Sequence, residues 1–172
     1  MMKTGQNFGI LYILLVICQV LICNYFQFTP FITLTILPAM ILCMPLSIGT
    51  IGCMLLAFAS GLATDWLSEG IIGLNASALI PVALLRKPFI RIFFGEDLIV
   101  RQDNFSFRKN GPAKVLAALL SSTGVFLLIY IVLDGAGERS TWFNLIRMGL
   151  SLLCSCLISL IVVNTLAPDD RK

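Results

Sequence analysis

The chain has 172 residues, of which 58% are apolar and only 12% charged, about half the charged share of an ordinary soluble domain. Mean hydropathy is +0.96, and one soluble core of this length cannot hide so much apolar surface. With a net charge of only +3, these figures argue against a soluble enzyme, a nucleic-acid binder and a disordered chain, and leave a small integral membrane protein.

The length allows five or six spanning helices at ~20 residues each. The expected fold class is an all-α membrane protein, one transmembrane domain over residues 1–172. The first apolar segment is Phe8–Tyr25, preceded by Lys3. No small-x-small cleavage site follows it, because Asn24-Tyr25-Phe26-Gln27 is bulky. Cys18 and Cys23 follow isoleucines, which are too large for a lipoprotein site. The segment therefore reads as a retained first helix. The second segment, Phe31–Leu46, is interrupted by Pro38 and closed by Pro45. It lies at the lower limit for a span, so it is expected to be kinked, or re-entrant where protein covers it. The third is Ile48–Thr64, and the fourth is Ile71–Leu85, extending at most to Phe89. A polar stretch over 86–114 follows, punctuated by Asn110-Gly111-Pro112. The fifth segment is Val115–Leu133 and the sixth is Trp142–Leu166.

Charge sets the expected orientation. The 86–114 stretch holds Arg86, Lys87, Arg91, Arg101, Arg108, Lys109 and Lys114, so it reads as a basic cytoplasmic loop. Six spans then place Lys3, Arg171 and Lys172 inside as well, and only Arg139 and Arg147 in the outer half. Five spans put Lys3 outside and fit less well, although the last four helices keep their direction. Tyr25, Trp66, Tyr130 and Trp142 all fall at outer ends, where amphipathic rings prefer the headgroup layer. The stretch from Arg86 to Phe94 mixes cations with bulky apolar residues. It reads either as an ordinary basic flank or as a surface lying on anionic lipid.

Two helix faces stand out. The third helix carries Gly49, Cys53, Ala57 and Gly61 at spacing four, and Asp65 continues that face. Small residues let a second backbone approach closely, which drives helix association in lipid. Asp65 is read either as a carboxylate aimed into the bundle or a partner, or as a solvated helix end. The sixth helix carries Arg147, Ser151, Ser155 and Ser159, again every four residues. Arg147 lies ~7.5 Å below the outer interface at 1.5 Å per residue. It is expected to face protein and find a carboxylate, unless it snorkels. The candidates are Asp65, Glu69, Asp134 and Glu138, with Asp65 the first choice because each residue ends a stripe.

Catalytic signatures are missing. The chain has no histidine, and its six cysteines lie in apolar runs as small fillers, without metal or redox spacing. No Gly-rich phosphate loop and no paired intramembrane carboxylates occur. Asn75-Ala76-Ser77 matches a glycosylation pattern but lies within an apolar run. No cofactor or metal is expected.

The order of features resembles a known family. The stretch from Leu55 to Leu79, LLAFASGLATDWLSEGIIGLNASAL, is followed by LLRKPF. It resembles the MreD rod shape-determining membrane proteins, with their glycine-leucine-x-x-aspartate helix end, turn, glycine and alanine-rich helix. Those features fall here on Gly61, Leu62, Asp65, Gly73, Ala76 and Ala78. Gln19 to Asn24 at the end of the first helix, and NLIRMGLSLL around Arg147, resemble the same family. One departure is Asn75, where many relatives have histidine. The resemblance implies a non-enzymatic membrane scaffold of the bacterial cell-elongation machinery in the cytoplasmic membrane. Its implied partners are MreC, the glycosyltransferase RodA with its penicillin-binding transpeptidase, and indirectly the MreB filament system. It also implies six helices, similar to the substrate-binding subunits of energy-coupling-factor vitamin transporters. A vitamin-binding subunit of that fold is the alternative. Such subunits carry small residues at spacing four on their first helix, whereas this one is bulky at Leu11, Leu14, Leu15, Ile17 and Leu21. A lipid-modifying enzyme would need a polar cluster at one depth, which only Asp65 with Arg147 can supply.

Overall fold

The computed structural model describes residues 3–25, 32–95, 111–135 and 140–166. It contains helices α1 (Lys3–Tyr25), α2 (Leu37–Leu42), α3 (Thr50–Thr64), α4 (Leu74–Phe94), α5 (Pro112–Gly135) and α6 (Thr141–Leu166). Among the described residues, four stretches are helical, long and apolar enough to cross a membrane: Phe8–Tyr25, Thr50–Ser68, Ala113–Gly135 and Thr141–Val163. The chain is a helical membrane protein by that measure.

Helices α3 to α6 pack in sequence order, each against the next, and α2 lies among α4, α5 and α6. Every residue of α2 is buried, and its Met40 and Ile41 join Leu79, Leu119 and Phe126 in the core. Helix α1 packs more lightly. It turns Tyr12, Leu15, Gln19 and Cys23 inward at helical spacing and leaves Ile10, Ile13, Leu14, Ile17 and Leu21 exposed. A hydrogen bond from the Tyr12 hydroxyl to Ser60 Oγ (3.2 Å) ties it to α3.

The expected break in the second segment is present: residues 32–46 are not a continuous helix. Residues 32–35 form no helix, Ile36 takes helical backbone angles as the N-cap, and only Leu37–Leu42 are helical, with 32–34 half-buried and Thr35–Leu42 buried. Proline explains part of this, since Pro38 cannot continue a helix from residues before it. The structure corrects the reading of 86–114. Helix α4 runs through Pro81 and Pro88 to Phe94, so its residues Arg86 to Phe94 are helical and not loop. Residues 96–110 of the expected cytoplasmic loop lie outside the described residues. Long basic side chains extend an apolar helix past its hydropathy limit, because the stems bury while the heads seek polar partners.

Candidate functional site

The small-residue face of α3 is an internal seam. Cys53 and Ala57 are buried, and a Cβ on Gly61 would lie 2.5 Å from Ala76 Cα. Gly61 is therefore where the backbones of α3 and α4 touch. Gly49 is the exception. It is exposed, with nothing within 4 Å of an added Cβ, so it does not belong to the seam.

Asp65 follows on the same face and is fully buried. Its Oδ1 accepts from the Asn75 backbone N–H (2.8 Å) and from Asn75 Nδ2 (2.9 Å). Its Oδ2 accepts from the N–H of Gly73 (2.9 Å) and of Ala76 (3.3 Å). The first turn of a helix leaves N–H groups without partners and carries partial positive charge. Asp65 thus caps α4 from a neighbouring element. The chain reaches this geometry through a wide turn in which Gly70 N–H donates to Asp65 O (3.0 Å). Gly70 and Gly73 take left-handed conformations (φ 71° and 100°) that a side chain would strain. Asn75, buried at the start of α4, is no glycosylation acceptor in this setting.

The serine face of α6 meets the extended segment. Ser151 Oγ accepts from Thr33 N–H (2.8 Å). Ser155 Oγ accepts from Thr35 N–H (3.1 Å) and donates to Thr33 O (3.2 Å). On the other side Gln19 of α1 completes the set. Its Oε1 accepts from Ile36 N–H (2.8 Å), and its Nε2 donates to Leu34 O (3.1 Å). Extended backbone in a lipid-embedded interior needs such partners, because no water satisfies it. Side chains here do the work of a neighbouring strand. Ser159, the last member of the face, is fully buried and its hydroxyl has no partner among the described residues.

Arg147 holds one end of the same segment. Its Nη1 donates to Asp134 Oδ2 at 2.5 Å. Its Nε and Nη2 donate to Thr33 Oγ1 at 3.2 and 2.9 Å. The guanidinium carbon lies 5.9 Å from the centroid of the Tyr130 ring. Arg147 is 7% exposed, so it does not snorkel. Its carboxylate is Asp134, not Asp65 as first expected, because Asp65 is committed to α4. Tyr130, expected in the outer aromatic belt, is buried beneath the cation, whereas Tyr25, Trp66 and Trp142 are exposed.

Arg86 holds the other end. It is 3% exposed and donates from Nε to Leu42 O (3.4 Å) and from Nη2 to Met44 O. Those carbonyls close α2, where a cation suits the negative end of the helix. Three of these residues escaped the sequence reading in their roles: Gln19, Arg86 and Asn75. Their common signal is a polar side chain inside an apolar run, which in lipid demands a partner.

Asp65 and Arg147 therefore have separate partners and form no common polar cluster. Among the described residues, no group of three or more His, Cys, Asp or Glu side chains is placed to hold a metal. No protein-family model, curated protein or solved structure matches the chain.

Proposed function

We propose that the chain is a non-enzymatic membrane scaffold of the MreD kind, serving the cell-elongation machinery in the cytoplasmic membrane of a bacterium. One observation carries the reading. Four of the six residues on which the motif resemblance rests, Gly61, Asp65, Gly73 and Ala76, meet in a single device that joins α3 to α4. A motif of this kind is a requirement of fold, so its ordered presence supports a shared fold and not a chance match of apolar sequence.

In this reading the chain crosses the membrane six times, with both termini cytoplasmic. The second crossing is discontinuous: it runs from the Arg147 end, through non-helical residues 32–36 and helix α2, to the Arg86 end. The scaffold holds MreC, and through it RodA, the penicillin-binding transpeptidase and, across the membrane, the MreB system. The buried polar side chains hold the fold together, and the exposed faces of α1 and α6 are left for lipid and partner helices.

The test is capture of the tagged chain from native membranes in mild detergent, with identification of bound proteins and extraction of small molecules. Recovery of MreC with the two synthases is the expected result. Recovery of an energy-coupling ATPase module, or of a bound vitamin, would replace this reading with the transporter one.

A further inference from the structure

The serine face of α6 is a ladder with three rungs, of which the extended segment uses two. Thr33 N–H donates to Ser151 and Thr35 N–H to Ser155. Alternate strand residues are ~6.6 Å apart and successive turns of four helical residues ~6 Å, so the two repeats stay in step. The next pairing in that series is Leu37 N–H with Ser159. In this structure it is not made. Leu37 opens α2, its N–H donates to Thr35 Oγ1 at a long 3.4 Å, and Ser159 Oγ is buried without a partner.

Three further features bear on this junction. Leu37 precedes Pro38, and a residue before proline is disfavoured in the helical region and prefers an extended one. Ile36, in the N-cap position of α2, makes no side-chain capping bond and lies at φ −110°, ψ −7°. Helix α2 packs against α6.

We propose that this junction has a second state in which Ile36 and Leu37 both join the extended segment and the Leu37 N–H occupies Ser159, so that α2 starts after Leu37. The exchange gives up two bonds and gains one. Leu37 N–H leaves Thr35 for Ser159, while Met40 N–H gives up Ile36 O, which it holds at 3.1 Å here. That loss makes the second state the minor one. Converting two residues from helical to extended lengthens the segment by about 3–4 Å. One end is fixed by Arg147, so the added length moves the Leu42 and Met44 carbonyls relative to Arg86. The segment is then a rod that couples the Arg147 end of the molecule to the Arg86 end. This inference stands on the ladder alone and does not depend on the cell-elongation reading.

The test uses the full chain in lipid nanodiscs with 15N relaxation dispersion at the Leu37 and Met40 amides. Thr35→Val keeps the side-chain shape and removes the competing acceptor, so it should raise the minor population about fivefold, the effect of one ordinary hydrogen bond. Adding Ser159→Ala should abolish the exchange, with helix content by circular dichroism unchanged. Absence of exchange at Leu37 in both the unaltered chain and Thr35→Val would overturn the proposal. So would exchange that survives Ser159→Ala.

Discussion

Gly61 and Ala76 meet backbone to backbone. A Cβ on Gly61 would stand 2.5 Å from Ala76 Cα, 2.6 Å from its nitrogen and 3.0 Å from Asn75 C. None of these is a flexible side-chain end that can move aside. Gly61→Ala must therefore push α3 and α4 apart at the point where Asp65 reaches across. Overpacking of this kind costs about 1–3 kcal/mol, and a leucine costs more. Thermal unfolding in detergent should rank the unaltered chain above Gly61→Ala, and that above Gly61→Leu. Gly49→Ala, where the space is open, should leave the transition in place.

Asp65 makes four hydrogen bonds at the head of α4, three of them to backbone N–H groups. Asp65→Asn keeps one acceptor oxygen and turns an amide donor toward other donors. Asp65→Ala removes every acceptor, and each buried donor left unpaired costs roughly 1–3 kcal/mol. Both variants should unfold earlier, alanine more so, and hydrogen exchange should quicken first at Gly73, Asn75 and Ala76. Loss of partner binding with unchanged exchange at those amides would instead assign Asp65 to an interface.

The two small-residue and serine faces were legible because spacing four needs no knowledge of neighbours. Which surfaces they meet was not. Hydropathy treats 31–46 as a weak helix, since nothing in it records that Gln19, Ser151 and Ser155 supply the bonds an extended segment requires. Charge ends a hydropathy window and so places Arg86 in a loop, yet its partners are carbonyls that only the tertiary fold brings near. The partner of Arg147 had a usable signal. Asp134 and Arg147 flank the short 136–140 connection between α5 and α6, and a short connection between antiparallel helices places their facing ends side by side.

Arg86 bonds to the carbonyls that close α2. Arg86→Met keeps the apolar stem and strands Leu42 O and Met44 O, so about 1–3 kcal/mol per group is at stake. Arg86→Lys should recover part of the loss, because an ammonium still donates but lacks the planar fork. Protease sensitivity at 43–49 should rise in the order unaltered chain, Arg86→Lys, Arg86→Met. Equal sensitivity in all three would mean the contact contributes little.

Orientation follows from the division of basic residues, ten of twelve falling on one side in the six-span reading. Reporter fusions near Arg101 and at Lys172 should both give a cytoplasmic signal. A periplasmic signal near Arg101 would invert the whole arrangement. Agreement near Arg101 with disagreement at Lys172 would instead remove a crossing after it.

Arg147 offers the sharpest test of pairing, because the structure replaces one carboxylate by another. The Arg147–Asp134 contact is 2.5 Å, and Arg147 also supplies both bonds to Thr33 Oγ1. Removing Asp134 alone leaves a buried guanidinium without its anion, and such a stranded charge costs more than a removed pair. Asp134→Asn with Arg147→Gln should therefore be less destabilised than the sum of the single variants. The coupling should be ~0.6–2 kcal/mol, the range for polar contacts within membranes. Asp65 and Arg147 share no partner, so Asp65→Asn with Arg147→Gln should be additive within about 0.5 kcal/mol. Both cycles use the same arginine variant, which cancels its separate loss of Thr33. Coupling to Asp65 and none to Asp134 would reverse the assignment and restore Asp65 as the partner.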